Sequence, residues 1–276
     1  MLSTASAGAS CTDWNAFPQT PLLWRLDGPH GPAGFVLGTM HSDAPSVLAT
    51  AVRLKPLLVH TQVFVMETLL TPAAVATLTD AMRLPNGTLA SLVGPRLYLR
   101  TTRALARRGI APAFLQNLKP WAAMLLLGSP IAHGPVLDAA LATDAQEANV
   151  PVRGLETTAE QIQVLDKLPL TVQIDLLRQT LAQQGHGDNQ ALREAYLRNN
   201  LRALIAVADR GEHQPGDRIF YRRLLHDRNR RMARRAVALL AHARAFIAVG
   251  ALHLPGLLRR LASAGYCATP VADTPE

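Results

Sequence analysis

Cysteine is nearly absent: Cys11 and Cys267 are the only two in 276 residues. They make neither a metal-ligand spacing nor a disulfide framework, which leaves room for at most one bridge between the two ends of the chain. Long apolar runs are missing too. The best candidate, "PWAAMLLLGSPIA" (120–132), is shorter than a membrane span and contains Gly and Pro, so it reads as a buried helix. The start, "MLSTASAGASC", has no basic region and no long apolar region, so it is not a signal peptide as written and a cytoplasmic protein is expected. "GASC" resembles the end of a lipoprotein signal whose front half is missing; a truncated N-terminus would make the protein periplasmic or a lipoprotein. No stretch is rich enough in Gly, Ser or Pro to serve as a linker.

Aromatic residues make up only 5% of the chain. That matters for the charge, which is formally +8 and unevenly placed, with nine arginines against two aspartates between Asp217 and Arg244. A basic segment can serve nucleic acid, anionic lipid or an acidic partner. No aromatic interleaving or nucleic-acid motif accompanies this one, so it reads as a solvated helix face and nucleic acid is not expected as a partner.

The composition is that of a helix-rich globular protein, 49% hydrophobic and dominated by Ala and Leu. Residues 1–20 are small and polar and are expected to be a flexible segment. Residues 21–276 are expected to form one α/β domain. "LLWRLD" (22–27) and "GFVLGT" (34–39) flank the Gly/Pro-rich "GPHGPA" and predict a hairpin. "QVFVMET" (62–68), "VPVRGLE" (150–156), "AFIAVGA" (245–251) and "GYCATPV" (265–271) predict further strands, of which 62–68 and 245–251 read as buried on both faces. Helices are expected over 45–60, 71–82, 89–108, 112–127, 135–149, 189–209, 216–243 and 255–264, with a capping box from Thr157 to Glu160 opening another. The pattern is a mixed or largely parallel sheet covered by helices, with a helical insertion over about 70–210.

Two stretches share one shape. "FVLGTMH" ends on His41 and "IAVGALH" ends on His253: three apolar residues, Gly, two residues, His. A strand enters, Gly permits a sharp turn or close approach, and His projects beyond the strand end, where α/β sheets build their sites. "VFVMET" delivers Glu67 from the end of a third buried strand. A carboxylate there is costly unless paired, protonated or bound to metal. Two imidazoles and a carboxylate suit Zn, Mn, Co or Fe. The same trio also suits metal-free chemistry, one His acting as general base oriented by Glu67.

In the basic helix the apolar stripe runs Leu225, Met232, Ala236, Leu239, Ala243. Arg228 and Asn229 fall on that stripe, so they face inward where Arg223, Arg230 and Arg234 do not. An inward Arg228 either holds a substrate carboxylate or an oxyanion, or pairs with a buried carboxylate such as Glu156 or Asp138.

With "PLLWRLDG…GFVLGTMHSDAP", "VFVMET", "VPVRGLETTAEQIQVLDKLP", "DRNRRMA" and "FIAVGALHLPG…LLRRLASAGY" in order, the chain resembles the TraB/GumN family. That family is related to Tiki-type proteases and more distantly to ChaN-like and erythromycin-esterase-like proteins. The resemblance implies a ChaN/esterase-type α/β fold and a site made of His41, His253 and Glu67, with Arg228 and Asn229 matching the family's "RN" pair and Glu156 its "LET" glutamate. It implies a metal-dependent hydrolase, most of all a peptidase, with His41, His253 and Glu67 holding a divalent Zn, Mn or Co and a peptide or small ester or amide as substrate. The alternatives are a metal-independent esterase-like hydrolase and a haem- or ligand-binding protein without turnover. Two local features depart from the family: "GPVLDAA" separates Gly134 from Asp138, and "HLPGLL" lacks a further Gly.

Overall fold

The structure is a computed structural model that describes residues 20–69, 71–129, 133–183, 188–208 and 215–271. Six strands form one sheet: β1 (Leu23–Gly28), β2 (Gly31–Thr39), β3 (Val63–Thr68), β4 (Val152–Glu156), β5 (Ala245–Gly250) and β6 (Cys267–Pro270), in the order β4-β3-β5-β2-β1-β6. β4, β3, β5 and β2 run parallel to one another; β1 is antiparallel to both β2 and β6. The sheet is therefore largely parallel, with one reversed strand supplied by the hairpin that "GPHGPA" predicts. The hairpin's second strand starts earlier than expected, at Gly31, because the turn is only Pro29–His30.

The two strands expected to be buried on both faces are so. Phe64, Val65, Phe246, Ile247, Ala248 and Val249 have no solvent exposure. Helices Pro45–Val59, Leu137–Glu147, Arg228–Leu240 and Leu254–Ser263 contribute to the core around the sheet. A second apolar cluster lies among the helices between β3 and β5, built on Leu89, Leu105, Leu118, Trp121 and Leu177. "PWAAMLLLG" forms the helix Pro120–Gly128 within it, and among the described residues no helix is long and apolar enough to cross a membrane.

Three expected helices break, each at an identifiable residue, and a fourth changes its pitch. The 89–108 helix stops at Gly94 (φ 79°) and restarts on Pro95. The 112–127 helix is interrupted because Lys119, ahead of Pro120, is extended at ψ 150°. The 189–209 helix splits at Asn199 (φ 51°), whose side chain accepts a hydrogen bond from the Leu22 N–H at 2.8 Å. The 216–243 helix begins as Pro215–Tyr221, widens to a π-helical stretch over Arg222–Asp227 and continues as Arg228–Leu240. The Thr157–Glu160 capping box is present, with bonds of 3.2 and 2.9 Å. Thr20, placed in the N-terminal segment by the sequence, is buried and accepts from the Leu201 N–H at 2.8 Å, so it is part of the fold. The remainder of the 1–20 segment, Cys11 included, lies outside the described residues.

Topology places the site. The chain leaves β3 toward its outer neighbour β4, and leaves the adjacent β5 in the opposite direction, past β2 and β1 to β6. Connections that diverge from neighbouring parallel strands open a crevice at the strands' carboxyl ends. His41, Glu67, Glu156 and His253 all stand at those ends.

Candidate functional site

The two Gly-x-x-His turns interlock. A Cβ on Gly38 would lie 2.5 Å from Leu254 Cδ1 and 3.1 Å from Ala251 Cα, so only glycine lets the turn after β5 rest on the end of β2. That turn is a short 3-10 helix, Ala251–His253, and buries His253 to 4% exposure. Gly250 donates its N–H to Glu67 Oε1 at 2.7 Å, tying the end of β5 to the end of β3.

Arg228 is the centre of the cluster. Its Nε donates to Glu156 Oε2 at 2.7 Å, its Nη2 to Glu67 Oε2, and its Nη1 faces His253 Nε2 at 3.1 Å. Glu156, whose side chain has no exposure, receives Arg231 on its other oxygen, from Nε at 2.9 Å. Two guanidinium cations thus face two carboxylates, which is how buried charge is tolerated. Arg235 extends the row to Glu160 with bonds of 2.6 and 2.8 Å, and that pairing holds the Glu160 carboxyl down at about 2. The Arg-rich helix is therefore only partly a solvated face: its inward side pairs with Glu67, Glu156 and Glu160, while Arg222, Arg230 and Arg234 are exposed.

The protons on His253 follow from its neighbours. Arg228 can only donate, so Nε2 carries the lone pair; Nδ1 then bears the hydrogen and donates to Asn229 Oδ1 at 2.8 Å. Burial, opposed by Glu67 and reinforced by Arg228, pushes His253 down to about 4, so it is neutral at pH 7. Burial alone would raise Glu67; His253, Arg228 and the Gly250 N–H outweigh it and hold this carboxyl below its usual range.

His41 stands apart from that network. Its side chain is 67% exposed, with Nδ1 3.8 Å from Asp138 Oδ2. Asp138 accepts from the Thr39 hydroxyl at 2.7 Å. The Asp138 carboxylate raises His41 above the ordinary histidine value, against some burial. The carboxylate beside His41 is thus Asp138 rather than Glu67. Asp138 does not pair with Arg228 either; of the two partners considered from the sequence, Glu156 takes that place.

One cleft of about 410 Å³ brings the two groups together. His41, Asp138, Glu67, His253 and Arg228 line it, with Met66, Leu192, Leu204, Leu225 and Leu252 among its apolar walls. Asn229 and Glu156 stand behind that lining.

A model of the TraB/PrgY/gumN family matches residues 22–270, which contain all six strands. The chain belongs to the TraB/PrgY/gumN family. No curated protein and no solved structure matches it. The family assignment accounts for the fold and the order of the motifs; the chemistry rests on the geometry.

The set of ligands expected from the resemblance, His41, Glu67 and His253, lines the cleft of this TraB/PrgY/gumN chain but is not gathered. Among the described residues no three His, Cys, Asp or Glu groups are placed to hold a metal ion. Both nitrogens of His253 and both oxygens of Glu67 are already engaged, and the cation between these two residues is the Arg228 guanidinium. As arranged, these residues do not fit a metal. Sequence reasoning missed two members of the site. Asp138 was visible as a possible partner of Arg228 and as an acid displaced from Gly134, not as the partner of His41, and Arg231 only as a residue three after Arg228.

Proposed function

We propose that the cleft hydrolyses an ester or amide bond, a peptide bond included, by acid–base chemistry from the chain's own side chains. The observation that carries this is that two unlike groups line one apolar cleft: the exposed His41–Asp138 pair and the buried Arg228–Glu67–His253 network.

The roles follow from charge. His41 takes a proton from water, with Asp138 stabilising the imidazolium that forms. The hydroxide adds to the carbonyl carbon. The tetrahedral oxyanion meets Arg228: its Nε–H and Nη2 face Glu156 and Glu67 and one Nη1 hydrogen faces His253, which leaves the second Nη1 hydrogen for a substrate oxygen. The His41 imidazolium then returns its proton to the departing oxygen or nitrogen. Neutral His253 and Asn229 position Arg228 and do not exchange protons in this scheme. The apolar walls hold the substrate and exclude bulk water.

The test is a panel of ester, amide and peptide substrates, assayed before and after dialysis against a strong chelator. Turnover that survives chelation and falls by about 100-fold or more in His41→Ala agrees with the proposal. Turnover lost on chelation and restored by Zn, Mn or Co would replace it with the metal-dependent hydrolase that the resemblance implies. An absorption band from stoichiometric haem, with no turnover on the panel, would replace it with the ligand-binding reading.

A further inference from the structure

Behind the cleft lies a second cavity of about 640 Å³, and among the described residues its lining holds His226, Arg259 and Arg260 but no carboxylate. Leu225 and Leu252 are common to both cavities. Asn229 lines the second one, and its side chain joins the two: Oδ1 accepts from His253, which lines the first.

The amide's orientation is fixed by the network rather than by its shape. Reversing it would place an N–H against His253 Nδ1 and force the hydrogen onto Nε2, where Arg228 already donates. Oδ1 must face His253, so Nδ2 faces away. Nδ2 lies against Gly256, where a Cβ would sit 2.1 Å from it. Gly256 lines the same cavity, so the absence of a side chain there leaves the amide open to it. Asn229 is 5% exposed, and among the described residues its Nδ2 donates to no acceptor. A buried N–H₂ without a partner costs free energy that a ligand acceptor would recover. Arg260, half-buried on the same wall, has no ion-pair partner among the described residues.

We infer that this second cavity is a binding site for a carboxylate, received by Asn229 Nδ2 and Arg260, whose occupancy reaches His253 through Asn229. A carboxylate suits the place because it accepts from a guanidinium and an amide at once. Its source is either a free small anion or the acidic end of a longer ligand lying across the Leu225–Leu252 wall. The site does not require that the first cavity hydrolyse anything, so it is tested by binding alone.

The experiment is NMR of the full chain, following the Asn229 side-chain amide and the His253 imidazole while sodium acetate or glutarate replaces sodium chloride at constant ionic strength. Both sets of signals should move and saturate together. Arg260→Gln should weaken the response at least ten-fold, and Gly256→Ala should abolish it at Asn229. A longer dicarboxylate binding more tightly than acetate points to the extended ligand; equal binding points to the free anion. Signals that do not move, or that move equally with chloride, overturn the inference, as does binding of phosphate in preference to every carboxylate. Should Gly256→Ala fail to fold, Arg260→Gln carries the test: an unchanged response in that variant contradicts the site.

Discussion

His253 is a histidine kept neutral by its surroundings, and that has a measurable consequence. Its value in the fold is about 4 against an ordinary 6.5. Between these limits the unfolded chain binds the proton more readily, so the His253 contribution to stability falls as pH drops from about 6.5 to about 4 and levels off below that. The shift corresponds to roughly 3 kcal/mol for this residue. Urea titrations across that range should show the loss, and His253→Gln should remove most of its pH dependence. His41 behaves oppositely. Asp138 favours its protonated form, so as a general base it works only when pH exceeds its raised value. The rate–pH profile should therefore rise with a midpoint above 6.5, and Asp138→Asn should move that midpoint down. An unmoved midpoint would remove Asp138 from the role assigned to it.

Among the elements, the helix Arg228–Leu240 and the end of β4 are held by Glu156, which carries both Arg228 and Arg231 with no exposure of its own side chain. Removing one partner of a buried charge set leaves the others uncompensated. Glu156→Gln should cost about 3–5 kcal/mol, read from the urea midpoint. The contact between the end of β2 and the turn after β5 gives a second test. Gly38→Ala places a Cβ within 2.5 Å of Leu254 and should destabilise by about 1–3 kcal/mol through overpacking. These two contacts also show what was legible beforehand. The repeated Gly-x-x-His pattern revealed both turns, since a glycine at fixed distance from a strand end has a local cause. The inward face of the basic helix was legible too, because the apolar stripe through Leu225 and Met232 carries Arg228 and Asn229 with it; both are buried. The helix break at Asn199 and the π-helical widening over Arg222–Asp227 were not, since tertiary contacts and neighbouring turns decide them.

At the scale of the molecule, the sheet and its carboxyl-end crevice could be read from buried strands separated by helices. Strand order could not, because β5 inserts between β2 and β3 by contacts made across almost the whole chain. The same long-range assembly set the site's chemistry. Two histidines and a glutamate read alike as metal ligands or as an acid–base set; what separates the readings is a guanidinium arriving from residue 228. The central claim is that this guanidinium holds the place a metal would take. The most direct measurement is nitrogen-detected imidazole NMR of the intact protein during titration with Zn²⁺. The account predicts that His253 stays in the single neutral Nδ1–H form, its signals unmoved at one equivalent. Stoichiometric Zn²⁺ binding that shifts His41 and His253 together would contradict it.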